Sequence, residues 1–129
     1  MNEIDFEHTS IDELENLLHH TNRDIRTDAI CSFGDRIRLG TICTLPPTVN
    51  DRLVQLLEDK SFIVQLEAAI TLSEIQDHRG TFVLLEAVRR RDFRLDAIRA
   101  LGRMQDSLAT ESLQFWMNKR FAPWADRLQ

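Results

Sequence analysis

The fourteen residues Val64–Asp77, VQLEAAITLSEIQD, return 29 positions later as Phe93–Asp106, FRLDAIRALGRMQD. A period near 30 leaves little choice of architecture. A helix pair of that length cannot bury its own apolar face, so copies must stack on one another into a solenoid. Carried into the preceding helices, the same offset sets Leu53 over Phe82, Leu56 over Leu85, Ala68 over Ala97, Leu72 over Leu101 and Asp77 over Asp106. An earlier copy fits at an offset of 39, with Leu14, Leu17 and Leu18 over Leu53, Leu56 and Leu57, and Ala29 and Phe33 over Ala68 and Leu72. The ten extra residues form a proline loop at 39–48. The expected fold is therefore all-α, an α-solenoid of about three and a half stacked antiparallel helix pairs in one domain, 1–129. Its repeats span about 10–38, 49–77 and 80–106, with a partial fourth at 108–128.

Local signals agree with this division. Ser10 followed three residues later by Glu13 is a capping box, which opens a first helix with Ile11, Leu14, Leu17 and Leu18 on one stripe. A second helix begins near Asp24 and carries Ile25, Ala29, Phe33 and Ile37. The paired prolines of LGTICTLPPT bar a helix interior. Beyond them come Leu53, Leu56 and Leu57, the turn EDKS, and Val64, Ala68, Leu72 and Ile75. The next pair is marked by Phe82, Leu85 and Val88, then Phe93, Ala97, Leu101 and Met104. A further first helix is expected around Leu113, Trp116 and Met117. The small Ala29, Ala68 and Ala97 let helices approach closely, as do Gly34, Ser73 and Gly102 one turn further on.

Bulk properties narrow the function classes. The net charge of -5 disfavours a nucleic-acid or anionic-membrane binder, which needs a broad basic surface. Charge is uneven, however: residues 1–22 carry six acids and no Lys or Arg, whereas residues 89–103 carry six Arg against two Asp. Two cysteines without metal-ligand or disulfide spacing fit a reduced, cytoplasmic protein. No signal-like N-terminus and no long apolar run suggest export or membrane spanning.

The pattern D-x-x-V-R-x-x-A-x-x-A-L-G-x-[IL]-x-D resembles the short HEAT-like repeats first associated with phycobilisome lyases. RLDAIRALGRMQD matches it best, then VQLEAAITLSEIQD and IRTDAICSFGD. The resemblance covers residues 10–119 and implies a protein-interaction scaffold or adaptor without catalysis of its own. It also implies alternatives: a lyase-like or lyase-accessory role in handling a tetrapyrrole chromophore, or nucleic-acid binding through the Arg cluster. HEAT-like hydroxylases hold iron with His-Glu pairs, but here the equivalent positions read Leu66-Glu67 and Leu95-Asp96, which lack the imidazole such a site needs. No metal, cofactor or catalytic residue is expected.

Solenoid relatives line their concave surface with second helices, so a partner protein is expected there, at Arg94, Arg99, Arg103 and Glu74, with Arg90 and Arg91 beside them. The stacked acids Asp28, Glu67 and Asp96 form a ladder on the same helices, each near a helix N-terminus where the macrodipole favours negative charge. Phe115, Trp116, Phe121 and Trp124 gather four of the nine aromatics at the C-terminal end. A terminal repeat either caps the core or offers an apolar surface, which makes Trp116, Phe121 and Trp124 candidates for homodimerisation or partner docking.

Overall fold

The computed structural model describes residues 4–104. Six α-helices form three antiparallel pairs: α1 (Ile11–Leu17) with α2 (Arg23–Arg38), α3 (Pro47–Leu56) with α4 (Phe62–Glu74), and α5 (Thr81–Val88) with α6 (Arg94–Met104). One 3-10 turn, His78–Gly80, leads into α5. The expected partial repeat at 108–128 lies outside the described residues, as do Trp116, Phe121 and Trp124.

Each boundary has a chemical cause. Ser10 accepts the Glu13 backbone N–H and starts α1, while Asn22 accepts from Asp24 N–H at 2.8 Å and starts α2. α2 stops where Gly40 takes a left-handed φ of 77°. Its N–H bonds Ile37 O and the Thr41 N–H bonds Arg36 O, a Schellman closure. α4 closes in the same way, with Gln76 at φ 60°. Neither proline lies in a helix interior: Pro46 is extended and Pro47 is the first helical residue, which sets the end of the loop at 46 where 48 was expected. Proline at that position loses only an N–H that would have no intrahelical acceptor.

The second helices form a continuous layer in which α2 packs on α4 and α4 on α6. Direct contact among first helices is slight by comparison. Ala29, Ala68 and Ala97 are fully buried in one register, along with Phe33, Leu72 and Leu101 one turn on. Ser73 is fully buried, and a Cβ on Gly34 would stand 3.3 Å from Thr71 Oγ1 of α4. Those two sites are close contacts as expected. At Gly102 no described atom lies within 4 Å of an added Cβ.

First helices depart from the 29-residue register. Phe82, expected to match buried Leu53, is 60% exposed. The residues that do fill the Leu53, Leu56 and Leu57 positions are Leu84, Ala87 and Val88, all buried and 31 positions on. At that offset Val49 gives way to Gly80. An added Cβ there would come within 2.8 Å of Ala69 Cα, so glycine lets the start of α5 press onto the α4 backbone. The two-residue slip is taken up in a shorter connection from Val88 to Phe93, against Leu57 to Val64 in the previous pair.

Candidate functional surface

Three equivalent positions on the second helices share one task. Arg26 Nη1 donates to His20 O at 2.8 Å, Gln65 Nε2 to Asp59 O at 2.6 Å, and Arg94 Nε to Val88 O at 2.8 Å. Each side chain reaches back six residues and ties the turn of its own repeat to its second helix. This is the Arg of the repeat pattern, and Arg94, expected to face a partner, spends one of its donors here. The turn of the second pair has a further tie, since Arg26 pairs with Asp59 across repeats, Nε to Oδ1 at 3.1 Å, with both side chains largely buried.

Glu74 and Arg103 also have intramolecular partners. Glu74 Oε1 accepts from Arg38 Nη1 of α2 at 2.8 Å and lies 3.2 Å from Arg103 Nη2 of α6. The Glu74 side chain is only 7% exposed. Arg38 also meets Asp35, so Asp35, Arg38, Glu74 and Arg103 run as one alternating chain of charge across all three second helices. Arg103 Nη2 reaches Ser73 Oγ at 3.4 Å and Gln76 Nε2 donates to Arg103 O, so the third repeat is tied to the second by more than packing.

The remaining arginines divide. Arg90 sits over the Phe62 ring, its guanidinium carbon 3.7 Å from the ring centre, and pairs with Glu86 at 3.6 Å. Arg91 and Arg99 are exposed and make no ion pair with any described residue. Sequence pattern brought these five arginines together as one basic group, whereas the structure separates a turn tie, a cross-repeat brace, a stacked cation and two open side chains.

Of the expected acidic ladder, Asp96 acts on Glu67 and Asp28 on the neighbouring Cys31. Burial pushes the Glu67 carboxyl up, Asp96 and Asp35 add to this, and a hydrogen bond from Cys31 and the charge of Arg38 oppose it. Cys31 Sγ donates to Glu67 Oε2 at 3.3 Å, and burial, followed by the Glu67 charge, drives the thiol far above its ordinary range. Such a thiol is a poor nucleophile. Cys31 and Cys43 are both free. No group of three or more His, Cys, Asp or Glu among the described residues is arranged to hold a metal ion.

At the N-terminal end, Arg36 Nη2 holds the carbonyls of Phe6 and Thr9 at 2.9 and 2.6 Å, and Ser32 Oγ donates to Phe6 O. These bonds lay the segment before α1 across α2. Phe6, Ile11 and Ile42 join Asp28 and Asp35 around an open cleft of about 1030 Å³ there. No sequence signal pointed to Arg36, because its acceptors are backbone carbonyls.

Stacked antiparallel pairs with a continuous second-helix layer define a helical-repeat protein. The family model for HEAT repeats matches residues 11–102, and the chain belongs to that family. No curated protein matches it. Among the described residues no helix is long and apolar enough to cross a membrane.

Proposed function

We propose that the chain is a protein-interaction scaffold without catalysis of its own and that it engages its partner through the outward row of the second helices. One observation carries this reading. The positions that repeat along the second helices are occupied with packing and turn ties, while the positions beside them change from copy to copy: Cys31, Ile70 and Arg99 in one row, Asp35, Glu74 and Arg103 in the next, the second row being engaged in the charge brace and the first ending in the exposed Arg99. A surface of variable side chains on a repeated frame is what a recognition surface requires, and HEAT repeats generally serve protein contact. Of the arginines expected to face a partner, Arg99 is the one on this row that stays exposed and unpaired among the described residues.

The test is affinity capture with the full chain, followed by reconstitution with the purified partner, in the native sequence and in the exposed-site variants Arg99→Glu and Asp28→Arg. Loss of a reconstituted partner in either variant, with an unchanged thermal melt, supports the reading. Identical binding in both overturns it. A bilin-dependent absorbance band on the purified chain would replace it with the lyase-like alternative.

A further inference from the structure

A second surface lies at the edge where the turns within each repeat meet. Between the α3–α4 turn and α5 is a cleft of about 580 Å³ lined by Lys60, Phe62, Gln65, Phe82, Glu86 and Arg90, with Val83 at its base. Its parts are fixed before anything binds. The turn that presents Lys60 is held by the Arg26–Asp59 pair, by Ser61 N–H on Asp59 Oδ2 and by Gln65 on Asp59 O. The floor is Phe62, which packs at a tilt on Phe93 with ring centres 5.5 Å apart and carries the Arg90 guanidinium on its face. The far wall is Phe82, an aromatic ring left 60% exposed by the two-residue slip of α5.

The cleft thus combines an aromatic surface with one cation held in place, Arg90, and one exposed cation, Lys60. Lys60 is exposed and makes no ion pair with a described residue. Among the described residues Glu86 is the one carboxylate that lines the cleft, and Arg89 and Arg90 share that group. Aromatic anchors beside arginine are the side chains that dominate binding at protein interfaces. Acids stand close by in the sequence, Glu58 two residues before Lys60 and Asp92 two after Arg90, in a chain of net charge -5. A long polyanion such as nucleic acid would meet repulsion on either side, whereas a short segment with one or two carboxylates would not.

We propose that this cleft docks a short acidic motif of a partner protein, an aromatic or large aliphatic side chain resting on Phe82 and the adjoining carboxylate pairing with Arg90 and Lys60. The proposal rests on the reading of the chain as an interaction scaffold but uses a different face, so the two fail separately.

Fluorescence anisotropy tests it, with the full chain and a labelled peptide of Glu and Asp around a central Phe. The comparison probes are the same peptide with Lys for the acids, the same peptide with Ala for Phe, and single-stranded oligo(dT). Saturable binding of the acidic Phe peptide alone is expected. Phe82→Ala and Lys60→Glu, both at exposed sites, each weaken it by about tenfold with unchanged melting, and Arg99→Glu on the second-helix row leaves it intact. Absence of saturable binding overturns the proposal, as does binding indifferent to Phe82→Ala and Lys60→Glu. Tighter binding of oligo(dT) through the same side chains overturns it in favour of nucleic acid. Failure here with a partner still lost in Arg99→Glu would leave the second-helix reading standing.

Discussion

The two layers of this solenoid obey the repeat to different degrees. Along the second helices Ala29, Ala68 and Ala97 hold one place, as do the turn-tying Arg26, Gln65 and Arg94. Along the first helices the register slips by two between α3 and α5, and a residue expected in the core comes out at the surface. The contacts explain the contrast. α4 is packed on both sides by its neighbours α2 and α6, so a shift there would have to be matched twice. α3 and α5 pack chiefly on their own partner and on the α4 layer, and a two-residue slide needs only one compensating change, the glycine at position 80. Repetition is kept in the layer whose helices stack directly on one another and relaxed in the layer whose helices barely meet.

The sharpest way to break that comparison is to truncate Leu53 and Phe82, which a uniform 29-residue repeat would make equivalent. Leu53→Ala opens a cavity at a fully buried position and should cost about 2–5 kcal/mol. Phe82→Ala, at a ring 60% exposed, should stay within about 0.5 kcal/mol. Urea unfolding of the two variants decides it, and equal losses would restore the uniform register. Glycines give the next contrast. Gly80→Ala forces a methyl to within 2.8 Å of the Ala69 backbone and should cost about 1–3 kcal/mol or more. Gly102→Ala, with no described atom near, should stabilise its helix by up to about 1 kcal/mol.

The charge brace tests the second-helix layer itself. Glu74→Ala leaves Arg38 and Arg103 without their shared carboxylate, and both arginines retain access to water, so a loss of about 1–2 kcal/mol is expected rather than the larger penalty of a buried orphan charge. Because Glu74 ties α2 to α6 through α4, the loss should appear most clearly as faster amide exchange in α6, measured by hydrogen–deuterium exchange. Equal acceleration in α1, which carries none of the brace residues, would show that Glu74 contributes only to global stability.

Much of this fold was legible because its signals are short-ranged and repeated. The Ser10 cap, the Ala and Leu rows and the paired-proline break each act within a few residues of themselves. The first-helix slip was hidden for the opposite reason. Phe82 and Leu85 have the right hydrophobicity and spacing, and so do Val83, Leu84, Ala87 and Val88; in a segment apolar on most faces, periodicity does not select a register. Gly80 was the signal that could have selected it, since a glycine entering a helix in place of Val49 marks a close approach. The arginines were legible as a cluster and not as individual roles. Arg94 could have been set apart by its equivalence with Arg26 and Gln65, three hydrogen-bond donors at one repeat position. Glu74 and Arg103 meet only across repeats, and no spacing within a helix reveals that. The Lys60–Phe82–Arg90 cleft depends on the slip and was invisible without it.

The smallest effect separates the two halves of the second-helix row. At its C-terminal half the carboxylate of Glu74 is neutralised by two arginines; nearer the N-termini Glu67 is half-buried beside Asp96 and Asp35, opposed by the hydrogen bond from the Cys31 thiol and the charge of Arg38. Burial foremost, and then the charges of Asp96 and Asp35, raise the folded-state pKa of Glu67 above its unfolded value. The unfolded chain then releases this proton at lower pH than the folded chain does. Stability contributed by the group is present in acid and declines as pH rises from the ordinary carboxylate range through the raised folded-state value. Glu67→Gln removes the titration and keeps a hydrogen-bond acceptor for Cys31. Its melting temperature should exceed that of the native sequence at neutral pH, and the difference should shrink as the pH falls below the carboxylate range. A difference independent of pH would mean that Glu67 is not held under this electrostatic load, and that both halves of the row are equally compensated.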